Sequence, residues 1–232
     1  MNRLYHIRNR LSRSLTRMGQ KMLPPPPRGR NLLGDRDLEW TWILARIPDG
    51  PGEALDLGPG QFWFLSLTAA QKGFAVLAMD REEYVHHFIP EGITSKRADF
   101  LEVEFPRSTY DLILSCSTME HIGLPDRYGA QHSIPDGDLF TMRNLLGAIK
   151  RSGIMLMTIP VGLDAVSIPH HRIYGEARLP MLLQDWKVEE ESYWIKQMDD
   201  QWHNVSRKEA LSVPGTDDYY GLGCFALRKE TE

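Results

Sequence analysis

The sequence predicts an α/β domain built on a doubly wound sheet of about seven strands, mostly parallel, with an antiparallel pair at one edge. Three observations predict it. Short apolar runs alternate with segments of helical periodicity across residues 53–162, and strands that alternate with helices pair in parallel through crossovers. The first run stops at glycines and the second at an acid, residue types suited to strand ends that face a ligand. Residues 186–196 and 221–229 are strand-like runs with no convincing helix between them, which suits an antiparallel edge pair.

Taken in order, the chain opens on a basic head. Leu4, Ile7, Leu11, Leu15, Met18 and Met22 recur at steps of three and four, the pattern of an amphipathic helix. Pro24 to Pro27 end it in a stiff spacer. Residues 1–30 thus read as a basic amphipathic helix with a Pro-rich spacer, and 31–232 as the α/β domain. In DRDLEWTWILARI, Leu38, Trp42 and Ala45 share one face with Trp40, Ile43, Leu44 and Ile47 beside it, a buried helix leading into the core. EALDL (53–57) is a short apolar strand, and residues 62–72 a helix stopped by Gly73. FAVLAMD (74–80) is the second strand, 94–98 a weak third and YDLILS (110–115) a strongly apolar fourth. Leu139, Met142, Leu145, Leu146 and Ile149 share a helical face ahead of the fifth strand, GIMLMTIP (153–160).

The 232 residues suffice for one well-buried domain with short attachments and are too few for two of ordinary size. No apolar run nears the roughly 20 residues that cross a bilayer. Two cysteines, Cys116 and Cys224, each inside a strand-like run, argue against a disulfide scaffold and for a reducing, cytoplasmic compartment. Eight of the 27 basic residues lie in 1–30, which hold none of the 31 acids. The head is therefore basic and the body acidic, and an acidic body disfavours nucleic acid as a partner. Residues 1–22 suit peripheral contact with an anionic membrane or a partner protein; a helix packed on its own domain and an organelle transit peptide fit them equally.

The strand ends carry the chemistry. Gly58 and Gly60 follow the first strand, where glycine permits tight turning and close approach of backbone to ligand at a helix N-terminus. Asp80 ends the second strand, placed to accept both ribose hydroxyl protons in charge-assisted bonds of roughly 1.5–3 kcal/mol each. Asp99 follows the third and can meet an exocyclic amine. Order and spacing together favour a nucleoside-containing cofactor. A dinucleotide-binding oxidoreductase is the poorer fit, because Trp63 or Phe64 stands where the third glycine of a phosphate-binding turn belongs. Asp56, just ahead of the turn, would also repel a pyrophosphate, whereas it can pair with an ammonium group.

The run LDLGPG…VLAMD…RADF…YDLILSCSTMEHIG resembles class I S-adenosylmethionine (SAM)-dependent methyltransferases over most of residues 53–162. The resemblance implies a Rossmann-like fold of strand order 3-2-1-4-5-7-6, with SAM as cofactor. It implies that Asp56, Gly58 and Gly60 surround the methionine part of SAM, that Asp80 holds the ribose, and that Asp99 and Phe100 sit at the adenine. The fourth strand, with Ser115 as a cofactor contact, and the following Glu120 and His121 would face the sulfonium and the acceptor. One departure stands out: Phe62 occupies the place of the family's third small residue. Two readings follow, a variant loop beside a usable pocket, or an occluded pocket in a non-catalytic partner or regulatory protein.

An oxygen acceptor needs a base, and an imidazole titrating near pH ~6.5 can serve at neutral pH. His121 is the candidate, with Glu120 orienting a ligand or capping the next helix; the structural alternative is that His121 only bonds loop backbone. His170, His171 and Arg172, after the fifth strand, suit a sugar, phosphate or carboxylate acceptor, although Arg172 could pair with Glu176 instead. The segments HHRIYG and YYGLGCFALRK carry a looser resemblance to methyltransferase-like proteins linked to surface polysaccharide synthesis, which implies a small-molecule or carbohydrate-like acceptor. Ser117 stands where metal-using methyltransferases carry a first glutamate, so no metal site is expected. The exposed-looking edge at 186–196 could pair with a second copy, and the oligomeric state stays open.

Overall fold

A computed structural model describes residues 33–83, 90–125, 133–168, 170–216 and 219–230. The basic head and the spacer read from residues 1–30 lie outside them. The described chain opens on helix α1 (Asp35–Leu44), then β1 (Gly52–Leu57), α2 (Phe64–Gln71), β2 (Phe74–Asp80) and β3 (Ile93–Arg97). Strand β4 (Tyr110–Cys116) ends in a single 3-10 turn (Met119–His121), followed by α3 (Gly137–Ala148) and β5 (Ile149–Val161). A hairpin of β6 (Ala165–Ser167) and β7 (His171–Ile173) precedes α4 (Arg178–Leu182), β8 (Trp186–Lys196), β9 (Trp202–Val205), α5 (Arg207–Leu211) and β10 (Gly221–Lys229).

The eight-stranded sheet runs β3-β2-β1-β4-β5-β10-β8-β9. Strands β1 to β5 pair in parallel, and β10 is antiparallel to both β5 and β8. This is the expected mixed sheet, extended by one strand. β9 had no counterpart in the sequence reading and pairs with Tyr193–Lys196 of β8, so that four of the eleven residues of the edge expected to be open are covered by the chain itself.

The central strands are apolar on both sides because both faces are covered. Leu55 and Leu57 of β1 and Ile113 of β4 pack with Leu139, Met142 and Leu145 of α3. Their strand neighbours Ala54, Leu112 and Leu114 point the other way, onto Trp42 and Ile43 of α1 and Leu65 and Ala69 of α2. Full burial of each such leucine or isoleucine contributes about 1.5–3 kcal/mol. The residues that position the site are therefore carried at the ends of a well-held frame. Helix α2 starts two residues later than its sequence pattern suggests, because Trp63 turns left-handed (φ 49°) and is itself buried. Among the described residues no helix is long and apolar enough to cross a membrane.

Candidate functional site

A cavity of about 360 Å³ opens beyond the carboxyl ends of β1, β2 and β4, within the range of small-molecule pockets. Asp56, Gly58, Gly60, Asp80, Asp99, Phe100 and His121 all line it. Asp56 is buried. Its Oδ2 accepts a 2.6 Å hydrogen bond from the Ser66 hydroxyl, while Oδ1 has no partner among the described residues. Burial pushes this carboxyl up to about 7, against the lowering effect of Ser66.

The two glycines are needed for different reasons. Both adopt left-handed φ, 65° at Gly58 and 64° at Gly60. A Cβ on Gly58 would lie 2.5 Å from Thr118 Oγ1, whereas one on Gly60 would meet nothing within 4 Å. The first glycine lets two loops touch; the second leaves room above the turn. Asp80 accepts from the Gly60 N–H at 3.1 Å and the Glu82 N–H at 2.9 Å, which fixes both carboxylate oxygens, and burial raises its pKa. Asp99 accepts from the Leu101 N–H at 3.1 Å and pairs with Arg81 at 3.4 Å, beside the buried ring of Phe100.

His121 borders the cavity with its Nδ1 2.7 Å from the His170 carbonyl oxygen. A carbonyl only accepts, so Nδ1 carries the proton and Nε2 is the acceptor nitrogen of the neutral ring. Nε2 lies 3.6 Å from Oε1 of Glu120, which is buried behind it. Glu120 therefore backs His121 and does not border the cavity. Ser115 is also displaced from its expected role. It is fully buried inside β4, its Oγ without a partner among the described residues, and the cavity is bordered by Cys116, Ser117 and Thr118 instead.

The expected acceptor cluster is not brought to the cavity. His171 is buried, edge-on to the Tyr220 ring at 5.0 Å. The side chain of His170 is exposed, and its carbonyl serves His121. Arg172 is 1% exposed and donates to the carbonyls of Glu120, Ile122, Ile134 and Pro135, with Asp138 at 3.8 Å from its Nε. Its Nη donors are spent on backbone, and its Nε faces a carboxylate. Arg172 is a structural clamp, and the Glu176 pairing weighed from the sequence is replaced by Asp138.

Helix α1 supplies what sequence reasoning missed. Glu39 is completely buried, accepts from the Ser117 and Thr158 hydroxyls, the latter at 2.8 Å, and pairs with Arg36 at 2.9 Å. Burial raises its pKa. Arg36 and Trp40 reach the cavity from the same helix. Phe62 and Phe64 are about half exposed, stack on each other at 5.8 Å, and meet Trp40 edge-on at 6.4 and 5.0 Å. The Phe62 ring thus forms part of the cavity rim and leaves the interior open. A signal for Glu39 did exist: a carboxylate set between Leu38, Trp42 and Ile43 on a buried helical face.

Several solved structures share this architecture. A SAM-dependent methyltransferase from Mesorhizobium loti is 18% identical, with 82% of this chain and 97% of that one covered at a TM-score of 0.54. The 1,6-didemethyltoxoflavin-N1-methyltransferase of Burkholderia thailandensis, solved with bound 1,6-didemethyltoxoflavin and S-adenosylhomocysteine (SAH), is 15% identical over 84% of this chain and 83% of that one, TM-score 0.51. The [4+2]-cyclase SpnF is 11% identical over 83% and 80%, TM-score 0.53. At these identities the likeness shows the fold alone. No curated protein matches the chain. Residues 70–205, more than half of the chain, match the family described as "Caenorhabditis protein of unknown function, DUF268". The chain has the Rossmann-like fold of class I SAM-dependent methyltransferases, and it belongs to the DUF268 family.

Proposed function

We propose that this protein is a SAM-dependent methyltransferase that methylates an oxygen of a small-molecule or carbohydrate-like acceptor. One observation carries the reading: Asp56 Oδ1 is buried without a partner among the described residues, on a cavity shared with Gly60 and Asp80. An unmade bond on a buried acceptor costs about 1–3 kcal/mol, and an ammonium group would supply it. The donor set fits SAM in order, with Asp56 for the amino group, the Gly58–Gly60 backbone for the methionine chain, Asp80 for the ribose hydroxyls, and Asp99 with Phe100 for the adenine.

Bound there, SAM supplies an electrophilic methyl group on a sulfonium. The chain's own residues align and deprotonate the acceptor. Alignment supplies most of the acceleration in such a displacement. His121, held by the His170 carbonyl, takes the acceptor proton on Nε2, and Glu120 at 3.6 Å stabilises the imidazolium that results. Trp40, Ile122 and Phe64 give the cavity apolar walls against water. The alternative of a plugged, non-catalytic pocket has less support, because the Phe62 and Phe64 rings stack at the rim and the cavity remains.

Calorimetric titration with SAM and SAH tests the cofactor. Saturable micromolar binding is expected, and Asp80→Ala should abolish it. If neither ligand gives heat with the wild-type protein, the methyltransferase reading fails. Because a cyclase shares this fold, transfer of a labelled methyl group to acceptors must be followed separately.

A further inference from the structure

Among the described residues, the cavity lining carries two guanidinium groups, those of Arg36 and Arg81. Arg81 is engaged by Asp99, on the side assigned to the adenine. Arg36 stands on the β4 side, its Nη1 bonded to Glu39 Oε2 at 2.9 Å and 3.5 Å from Cys116 Sγ. Its Nε and Nη2 donors have no partner among the described residues, and its side chain is 44% exposed. Glu39, which aims it, is wholly buried and anchored by the hydroxyls of Ser117, just past β4, and Thr158, within β5.

Burying a carboxylate in this way seldom stabilises a fold more than a well-packed apolar side chain would. It does fix geometry. Ser117 is itself held in a left-handed conformation, φ 45°, a cost of roughly 1–3 kcal/mol for a residue that is not glycine. The network spends stability to hold one guanidinium edge against the cavity. Asp35 and Glu39 beside Arg36 cancel much of its long-range field, so recognition has to be by direct, forked contact. A planar guanidinium matches a carboxylate in that mode.

We propose that Arg36, aimed by Glu39, is a carboxylate-docking site at the β4 side of the cavity. The inference rests on the methyltransferase reading, and its ligand is either the amino-acid carboxylate of the cofactor or a carboxylate on the acceptor. Glu39 acts as a positioning residue.

Four probes separate these sources from each other and from failure of the underlying reading. SAH and 5′-deoxy-5′-methylthioadenosine share the nucleoside, but only SAH carries the carboxylate and its amino group. Binding of the thioadenosine to the wild-type protein tests the nucleoside site alone. In the cofactor arm, Arg36→Met should weaken SAH by about tenfold or more, the scale of one or two charge-assisted bonds, while thioadenosine binding is unchanged. Arg36→Lys should recover part of the loss, and Glu39→Gln, which keeps the shape, should lose less than Arg36→Met. In the acceptor arm, glucuronate and glucose are compared by saturation-transfer NMR on the SAH-loaded protein. A preference for glucuronate that Arg36→Met removes, with SAH affinity intact, assigns the site to the acceptor. If Arg36→Met, shown folded by its thioadenosine binding, changes neither the SAH affinity nor the glucuronate-to-glucose ratio, the proposal is overturned. If thioadenosine and SAH both fail to bind the wild type, the methyltransferase reading itself falls.

Discussion

Asp56 concentrates the chemistry of the site in one side chain. In the ligand-free protein its carboxyl titrates at about 7 because it is buried with a single hydroxyl donor. Its folded value is raised above the usual carboxylate range. The stability it contributes is therefore complete below that range and is lost as pH rises through about 7. Ligand binding runs the other way. An ammonium group needs the ionised carboxylate, so protonating Asp56 must weaken SAH, by up to about tenfold per pH unit below 7. Calorimetric affinities should fall from pH 8 to pH 6, and Asp56→Asn should bind weakly with most of that slope removed. An equal slope in the variant would move the titrating group elsewhere, Asp80 being the next candidate. The acid ahead of the glycine turn was legible in the sequence. Its unpartnered oxygen was not, because that depends on Ser66 reaching one oxygen only.

At the scale of elements, Arg172 ties three pieces of chain together. From β7 it binds carbonyls on the turn after β4 and on the approach to α3, while Asp138 of α3 also accepts from Tyr174 Oη at 3.0 Å and Arg178 Nε at 3.0 Å. Removing one partner of a buried pair costs about 3–5 kcal/mol, and a chain of this length loses roughly 2–4 °C in Tm per kcal/mol. Arg172→Met should thus lower the melting midpoint by about 10 °C, with SAH binding retained in the cold. An unchanged midpoint would return Arg172 to the acceptor site where its sequence neighbours first placed it. The contrast shows what a sequence conveys. Strands such as FAVLAMD and GLGCFALRK announce themselves by composition, and their boundaries match those in the structure. The β6–β7 hairpin and β9 are three or four residues long with mixed polarity, too short for a period to emerge. Glu39 pairs with Ser117 and Thr158, 78 and 119 residues away, and pairings at such distance leave no local pattern.

The described domain is built on one eight-stranded sheet with an apolar core on each face, and the cavity lies at the strand ends where helix α1 meets the frame. A ligand bound there contacts groups from several elements and should stabilise them together. At a concentration 100 times its Kd, SAH adds about 2.7 kcal/mol, a rise in Tm of roughly 5–10 °C. Thermal denaturation of the full chain with and without SAH measures it, and Asp80→Ala should show no shift. A wild-type midpoint that ignores SAH would mean that the native fold does not hold it. The sheet order has a further consequence, one that concerns synthesis. Strand β10 fills the slot between β5 and β8, and seven of its nine residues are buried. On the ribosome, β5 and β8 emerge first and wait for residues 221–229, which follow at about 5–20 residues per second. For several seconds the nascent chain displays two unpaired strand edges over apolar surface, a state prone to pairing with other chains. This protein should therefore be a client of chaperones during translation, and an early stop before Gly221 should yield aggregate rather than a smaller folded domain.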